Sequence, residues 1–394
     1  MTEHDSGHHP PRPLAGIRVV DLSRALAGPY ATMMLADVGA DVLKVEPPSG
    51  DDSRGWLPFT SPEGEEEPAS AYFLSANRGK RSVRLDLKQP ADVERLRALC
   101  AEADVLVENY RPGLMARLGL DPADLRRANP RLVTLSITGF GSGGPDGMRP
   151  GFDQIVQAEA GLMSLTGSPD GEPTRVGLPI ADLLAGMFGA FGVMTALADR
   201  ERTGRGTAVE TSLLAAVTAV HAFHGAGWLS AGVEPARTGN RHPSIAPYGT
   251  FRCADASVVI AVGSESLWRR FAGVVGIDPD RPDVATNRLR VAKVAELEAE
   301  VERLLQDSKA DDVIAELGAA GVPAGRIRTV PEVYDWEQVR GLGLLHTMTH
   351  PLLGEVTVPG GAVRYDGMMA ASPTPPPLLG EHEDGLDSPW EADR

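Results

Sequence analysis

Short β-branched runs alternate with amphipathic stretches through the first 140 residues, and this alternation restricts the chain to a parallel-sheet architecture. Gly16-Ile-Arg-Val-Val-Asp21 reads as a strand. Residues 29–39 follow with helical spacing, Pro29 near the first turn and Gly39 as the stop. Asp41-Val-Leu-Lys-Val-Glu46 is the next strand. Such a strand–helix–strand unit is the sequence form of a right-handed parallel crossover. The theme returns with a strand from Ser82, a helix at 91–102 and a strand at 104–108. Asp121-Pro122 then caps and starts another helix, and 131–138 forms one more strand. The expected fold is a doubly wound, Rossmann-like α/β domain over roughly the first two hundred residues.

At 394 residues the chain exceeds what one hydrophobic core usually organises, so a second domain is expected. Its net charge of −16 argues against a general nucleic-acid binder. Cys100 and Cys253 build no disulfide framework, which suits a reducing compartment. The N-terminus has neither a basic region nor an apolar core of the secretory kind, so a cytoplasmic location is expected, with no membrane partner.

Beyond Arg200-Glu-Arg-Thr-Gly-Arg-Gly206 the pattern changes. A strand pair is expected at 248–262, helices at 265–275, 291–306 and 310–318, and strand-like sequence at 321–330. This makes a smaller α+β domain. The proline-rich segment from Thr374 to Glu383 reads as extended and surface-running. The expected division is a mobile tail at 1–12, a large domain of 13–200 plus 331–394, a linker or crossing segment at 201–235, and a small domain at 236–330.

Asp182 heads the apolar run Leu183-Leu-Ala-Gly-Met-Phe-Gly-Ala-Phe-Gly-Val-Met-Thr-Ala-Leu-Ala198. The run reads as a buried helix, too short to span a bilayer. A carboxylate in its first turn, beside free N–H groups and the positive end of the helix dipole, is expected to stay ionised. It is either a cap or a nucleophile, and physics alone favours the cap.

Other motifs exclude more than they assign. Gly139-Phe-Gly-Ser-Gly-Gly144 has dinucleotide-loop spacing, but Pro145 to Pro150 follow in place of a helix, so NAD is unsupported. Asn77-Arg-Gly-Lys-Arg-Ser82 clusters three cations that could neutralise phosphates. His221 with His224, and His346 with His350, lack partners for a metal site, so none is expected. His242 lies in a loop rich in special-backbone residues, where sites concentrate.

Together these pieces resemble the class III CoA-transferases of the CaiB/BaiF type. The resemblance is carried by Asp21-Leu-Ser-Arg-Ala-Leu-Ala-Gly-Pro29, Gly39-Ala-Asp-Val-Leu-Lys-Val-Glu46, Asn77-Arg-Gly-Lys-Arg-Ser82 and Val107-Glu-Asn-Tyr-Arg-Pro-Gly113. Gly151-Phe-Asp-Gln154, Asp182-Leu-Leu-Ala-Gly186, Thr203-Gly-Arg-Gly206 and Leu378-Leu-Gly-Glu-His382 extend it. It implies that Asp182 is the nucleophile, that a coenzyme A thioester is a substrate with no further cofactor, and that the chain forms an interlocked homodimer whose large domain binds CoA.

The resemblance places CoA contacts at Ala25, Leu26, Leu85, Lys88, Asn109, Tyr110, Arg117, Phe152 and Asp153. Leu26 and Pro47 replace a glutamine and an arginine of the formyl-CoA enzymes, so the phosphate contacts are expected to move to Arg78, Lys80 or Arg81. A glycine-containing loop over 239–249 would hold the oxyanion, with Gly249 at its end. Similarity to enzymes using succinyl-CoA and dicarboxylates nominates Arg241, His242 or Arg364 for a distal carboxylate. The family's racemases carry a histidine thirty positions before the aspartate. Here that position is Phe152, with Asp153 beside it, which leaves racemase activity as the alternative. A non-catalytic acyl-CoA-binding protein is the third reading.

Overall fold

The computed structural model describes residues 12–60, 69–385 and 390. They divide into two compact units, one holding residues up to 162, 175–233 and those from 337 onward, the other 163–174 with 234–336. The expected tail lies almost wholly outside the described residues.

In the first unit, β1 (Arg18–Asp21), α1 (Ala27–Asp37) and β2 (Asp41–Glu46) form the expected crossover. Next come α2 (Ala71–Ala76), β3 (Lys80–Arg84), α3 (Pro90–Glu102), β4 (Val105–Glu108), α4 (Leu114–Arg117), α5 (Pro122–Ala128), β5 (Val133–Thr138) and α6 (Asp153–Glu159), followed by the single turn α7 (Leu162–Leu165), most of which belongs to the second unit. Asp121 accepts from the Ala123 N–H and Pro122 opens the helix, as its sequence predicts. After α8 (Ile180–Thr203), β6 (Ala208–Ser212) completes the sheet and α9 (Leu213–Ala219) and α10 (Ala222–Ala231) follow.

All six strands are parallel, in the order β3-β2-β1-β4-β5-β6. This is the doubly wound order whose direction reverses between β1 and β4, so a crevice opens beyond their C-terminal ends. On one face, α1, α8 and α9 bury Val19, Val105, Leu135 and Ile137. On the other, α3 and α5 bury Val20, Leu43 and Leu106.

Two expectations change here. The stretch 201–235 is no linker, because β6 runs through it. Gly206 donates its N–H to the Pro130 carbonyl at 2.8 Å, and a Cβ there would stand 2.1 Å from the Leu132 carbonyl oxygen. Only glycine lets the chain return so close beside β5. Secondly, α8 has 24 residues, long and apolar enough by those two measures to cross a membrane. It lies instead along the sheet, burying Ala181, Ala185, Ala190, Val193 and Leu197. A Cβ on Gly186 would come within 2.6 Å of the Ala27 carbonyl oxygen, and one on Gly192 within 2.6 Å of Val209 Cγ1, so small residues let the helix sit down on α1 and β6. The helix is not buried all round: Met187, Phe188, Phe191 and Met194 are exposed.

The proline-rich segment also departs from expectation. Pro376 and Pro377 are buried, the Pro377 carbonyl accepts from Arg54 at 3.1 Å, and the Thr374 carbonyl accepts from Gly79 N–H at 2.9 Å. The segment is packed, not free.

The second unit is α+β. Strands β7 (Tyr248–Arg252), β8 (Ser257–Ala261) and β9 (Ala324–Arg326) form an antiparallel sheet. Helices α11 (Glu265–Val275), α12 (Asn287–Ala292), α13 (Val294–Leu305), α14 (Ala310–Ala319) and α15 (Val330–Asp335) complete it. The single helix expected at 291–306 is two helices, broken at Lys293. Phe251, Ile260, Trp268, Phe271, Val301 and Leu317 form the core.

Candidate active site

The loop between β1 and α1 sits at the reversal point of the sheet and is fixed from every side. Asn109, just after β4, accepts from the Arg24 N–H at 2.9 Å and donates to the Arg24 carbonyl at 2.8 Å. Both ends of its amide are therefore engaged with the protein backbone, which makes it a clamp on the loop. Ala25 has φ of 62°, a left-handed conformation that costs a non-glycine residue about 1 kcal/mol or more. Asp51 holds it there by accepting from the Ala25 N–H at 3.2 Å. Leu26 is buried.

Beneath the loop lies a charge network. Lys44 donates from Nζ to the Ser23 carbonyl and to Asp51, each at 2.9 Å. Lys80 donates to Asp21 at 3.0 Å and to Asn77 Oδ1 and the Pro29 carbonyl at 2.9 Å. Burial alone would raise the Asp21 carboxyl, but Lys80 and Lys44 outweigh it and hold the group down at about 2. Lys80 is thus unavailable to a phosphate, contrary to expectation. Arg78 is buried against Asp37 at 2.6 Å and is unavailable for the same reason. Arg81 is paired with Asp41 at 2.8 Å and remains partly exposed.

Asp182 stands in the first turn of α8. It is not the cap, because that place belongs to Asp153, the first residue of α6. Asp153 Oδ1 accepts from the N–H groups of Ala181 at 2.8 Å and Asp182 at 3.3 Å, while Oδ2 accepts from Gln157 at 2.7 Å. Burial, and then the charge of Asp153, push the Asp182 carboxyl up to about 7. The expectation of a fully ionised carboxylate fails on this point: the helix end is already occupied by another anion, and no cation is paired with Asp182 among the described residues.

Two aromatic residues complete the surroundings and were not singled out from the sequence. Tyr72, on α2, meets Trp56 edge-on with ring centroids 4.9 Å apart. Its phenol is raised to about 12 by burial and by the charges of Asp182, Asp153 and Asp51, which places Tyr72 among these three carboxylates. The one available signal was two aromatics flanking a polar stretch in a chain with only 5% aromatic residues.

The other nominated residues separate. Tyr110 lies beside Arg24. Lys88, Arg117 and Phe152 are exposed, whereas Leu85 is buried, so its side chain packs in the core. Arg241, His242 and Gly249 belong to the second unit. Arg241 is paired with Glu298 at 2.6 Å, which neutralises it as a carboxylate holder. His242 packs on Tyr248 at 5.1 Å between centroids. Gly249 lies inside β7, not in the loop expected to hold the oxyanion. Arg364 donates to the carbonyls of Gly367 and Leu342. Among the described residues no group of three or more His, Cys, Asp or Glu is arranged to hold a metal ion.

A half-buried carboxylate with no cation paired to it among the described residues, in the first turn of a helix packed on a doubly wound sheet, suits acyl transfer, and comparison with known proteins agrees. Residues 14–383 match the family described as CoA-transferase family III. The succinyl-CoA:glutarate CoA-transferase of Mus musculus is 39% identical over 379 residues, covering 94% of this chain and 85% of that protein. The succinyl-CoA:mesaconate CoA-transferase of Haloarcula hispanica is 36% identical over 378 residues, covering 94% of each. A crystal structure of a CaiB/BaiF family protein from Brucella suis superposes with a TM-score of 0.85 at 38% identity, over 97% of this chain and 100% of that one. The protein is an enzyme of the CoA-transferase class. It belongs to CoA-transferase family III, the CaiB/BaiF group.

Proposed function

We propose that the protein moves CoA from succinyl-CoA to a dicarboxylic acid, with Asp182 as the nucleophile. The observation that carries this reading is the Asp182 carboxyl, raised to about 7 with no cation paired to it. A more basic carboxylate is a stronger nucleophile, and near neutral pH a substantial fraction is still ionised. The substrates for which the relatives from Mus musculus and Haloarcula hispanica are named support the choice of donor and acceptor.

In the first step an Asp182 oxygen attacks the thioester carbonyl carbon, the carbon–sulfur bond breaks, and CoA thiolate leaves a mixed anhydride. The thiolate then attacks the Asp182 carbonyl carbon, releasing succinate and leaving an aspartyl thioester. The acceptor carboxylate attacks that thioester and expels CoA thiolate, giving a second anhydride. Attack of the thiolate on the acceptor's acyl carbon yields the new CoA ester and restores Asp182. CoA would lie along Ala25 and Leu26 and past Asn109 and Tyr110, within reach of the exposed cations Lys88 and Arg117. The exposed row Met187, Phe188, Phe191 and Met194 supports a homodimer, which sedimentation equilibrium would detect and Phe191→Glu would weaken.

Racemization needs an acid and a base on opposite sides of an α-carbon. Phe152 supplies neither, and both Asp153 oxygens are already accepting hydrogen bonds. The test is to incubate succinyl-CoA with glutarate or mesaconate and follow the new ester. Asp182→Ala should lose at least about a thousandfold in exchange while still binding CoA. Exchange that survives in this variant would exclude the mechanism. Deuterium entering the α-position of a 2-methylacyl-CoA from heavy water would favour racemization.

A further inference from the structure

Arg24 is a cation at the reversal point of the sheet with no counter-ion among the described residues. Four other buried or half-buried arginines of the first unit are ion-paired, Arg54 with Glu46, Arg78 with Asp37, Arg81 with Asp41 and Arg200 with Asp104, whereas the half-buried Arg126 of α5 is not. Among the described residues Arg24 has no such carboxylate: its guanidinium hydrogen-bonds the Tyr110 phenol, a neutral partner, and its Nε is buried without a hydrogen-bond partner. The protein as a whole carries a net charge of −16, so carboxylates are in excess, yet none is set against Arg24 among the described residues.

Its position is tightly held. The Arg24 backbone is clamped in both directions by Asn109, and the guanidinium carbon lies 5.4 Å from the centroid of the Tyr110 ring. A guanidinium lying against an aromatic ring keeps its in-plane donors for a planar or tetrahedral oxyanion, and it loses little rotamer freedom on binding one. Three residues further on, Ala27 touches Gly186, one helical turn beyond Asp182. The loop bearing Arg24 therefore runs directly to the nucleophile's helix.

We propose that Arg24 binds an oxyanion of the substrate, either a carboxylate of the dicarboxylic acid or a phosphate of CoA. This rests on the transferase reading given above. Arg241, one of the three residues nominated for the distal carboxylate, is already paired with Glu298, whereas Arg24 has no carboxylate partner among the described residues.

The experiment compares Arg24→Met and Arg24→Lys with the wild type, using calorimetric titration of free CoA together with KM values for glutarate, a monocarboxylate, succinyl-CoA and butyryl-CoA. If the oxyanion is a phosphate, Arg24→Met binds CoA about tenfold or more weakly, and KM rises for both CoA esters alike. In that case Arg24→Lys recovers part of the loss, because an ammonium serves phosphate as a point charge. If the oxyanion is a carboxylate, KM rises about tenfold for glutarate and succinyl-CoA only, and CoA binding is unchanged. CoA affinity and all four KM values within about twofold of wild type, in variants that melt like wild type, would overturn the proposal. A wild type that binds CoA without transferring it would sink the transferase reading, and the CoA titration would still decide the role of Arg24. A wild type that neither binds CoA nor transfers it would overturn both.

Discussion

Two groups of carboxylates, one buried and one half-buried, lie within one unit of this protein, and their chemistry diverges because of their neighbours. Asp21 and Asp51 lie below the β1–α1 loop, each against a buried lysine. Asp182 lies in the first turn of α8 and Asp153, from α6, caps that turn, with no cation paired to either among the described residues. All four belong to the same sheet-and-helix framework. In the first group burial is overcome by Lys80 and Lys44 and the carboxyl of Asp21 falls to about 2. In the second, burial and a like charge act together and Asp182 rises to about 7. The first arrangement fixes a backbone. The second leaves a basic carboxylate at a crevice. Removing one charge should move each group part of the way towards the other's behaviour.

The largest expected effect comes from breaking the lysine-backed group. Lys80→Met leaves Asp21 buried with its main partner gone, and should cost about 3–5 kcal/mol, read as a fall in denaturant midpoint. A loss below about 1 kcal/mol would mean that the network contributes little to holding the loop. The pH dependence sharpens the point. The folded-state pKa of Asp21 lies below its unfolded value near 3.9. Its stabilisation is therefore present above about pH 4 and is lost as pH falls towards 2.

Asp182 has the opposite sign. Its folded-state pKa is raised, so the native state binds the proton more tightly than the unfolded chain does. Its contribution is complete below about pH 4, declines as pH rises, and is gone above about pH 7. Asp182→Asn removes the ionisable group while keeping its shape. Thermal melts should show the variant equal to wild type near pH 4, and more stable by about 2–4 kcal/mol at pH 8. Equal stability at pH 8 would show that the carboxyl is not raised. The variant should lack transferase activity throughout, which separates function from stability at a single residue.

How far the sequence alone reaches differs between the two groups. The strands and helices around Asp21 were legible because caps, stops and strand alternation are local signals, as with Asp121-Pro122 and Gly39. Neither buried lysine was. A lysine in a strand looks solvated until the topology sets a carboxylate beside it, and Asp21 is 59 positions from Lys80. The edge strand β6 was missed because its residues alternate between exposed and half-buried, with little apolar signal. Asp182 was found through its apolar helix and the family resemblance, but its protonation was misjudged. The cap comes from Asp153, 28 positions from the Ala181 N–H it accepts, and no local pattern announces a cap supplied by another helix. Tyr72 and Arg24 became visible only when the loops around the sheet's reversal point were assembled.

Asp153 supplies the smallest and most specific test, because it both caps α8 and repels charge on Asp182. Asp153→Asn keeps an oxygen that can accept from the Ala181 N–H and removes the negative charge. Loss of the charge–dipole interaction should cost about 0.5–1 kcal/mol of stability. The Asp182 carboxyl should fall from about 7 towards the usual carboxylate range without reaching it, since burial remains the larger cause. The acid limb of the kcat/KM profile for succinyl-CoA should then move to lower pH, by about one unit. At pH 8, where wild-type Asp182 is already ionised, the variant should be slower, because a less basic carboxylate is a weaker nucleophile. At pH 5.5 it should be faster, because more of it is ionised. A crossing of the two profiles would tie the rate to Asp182's proton through its neighbour's charge. Parallel profiles that differ only in height would reduce Asp153 to a helix cap.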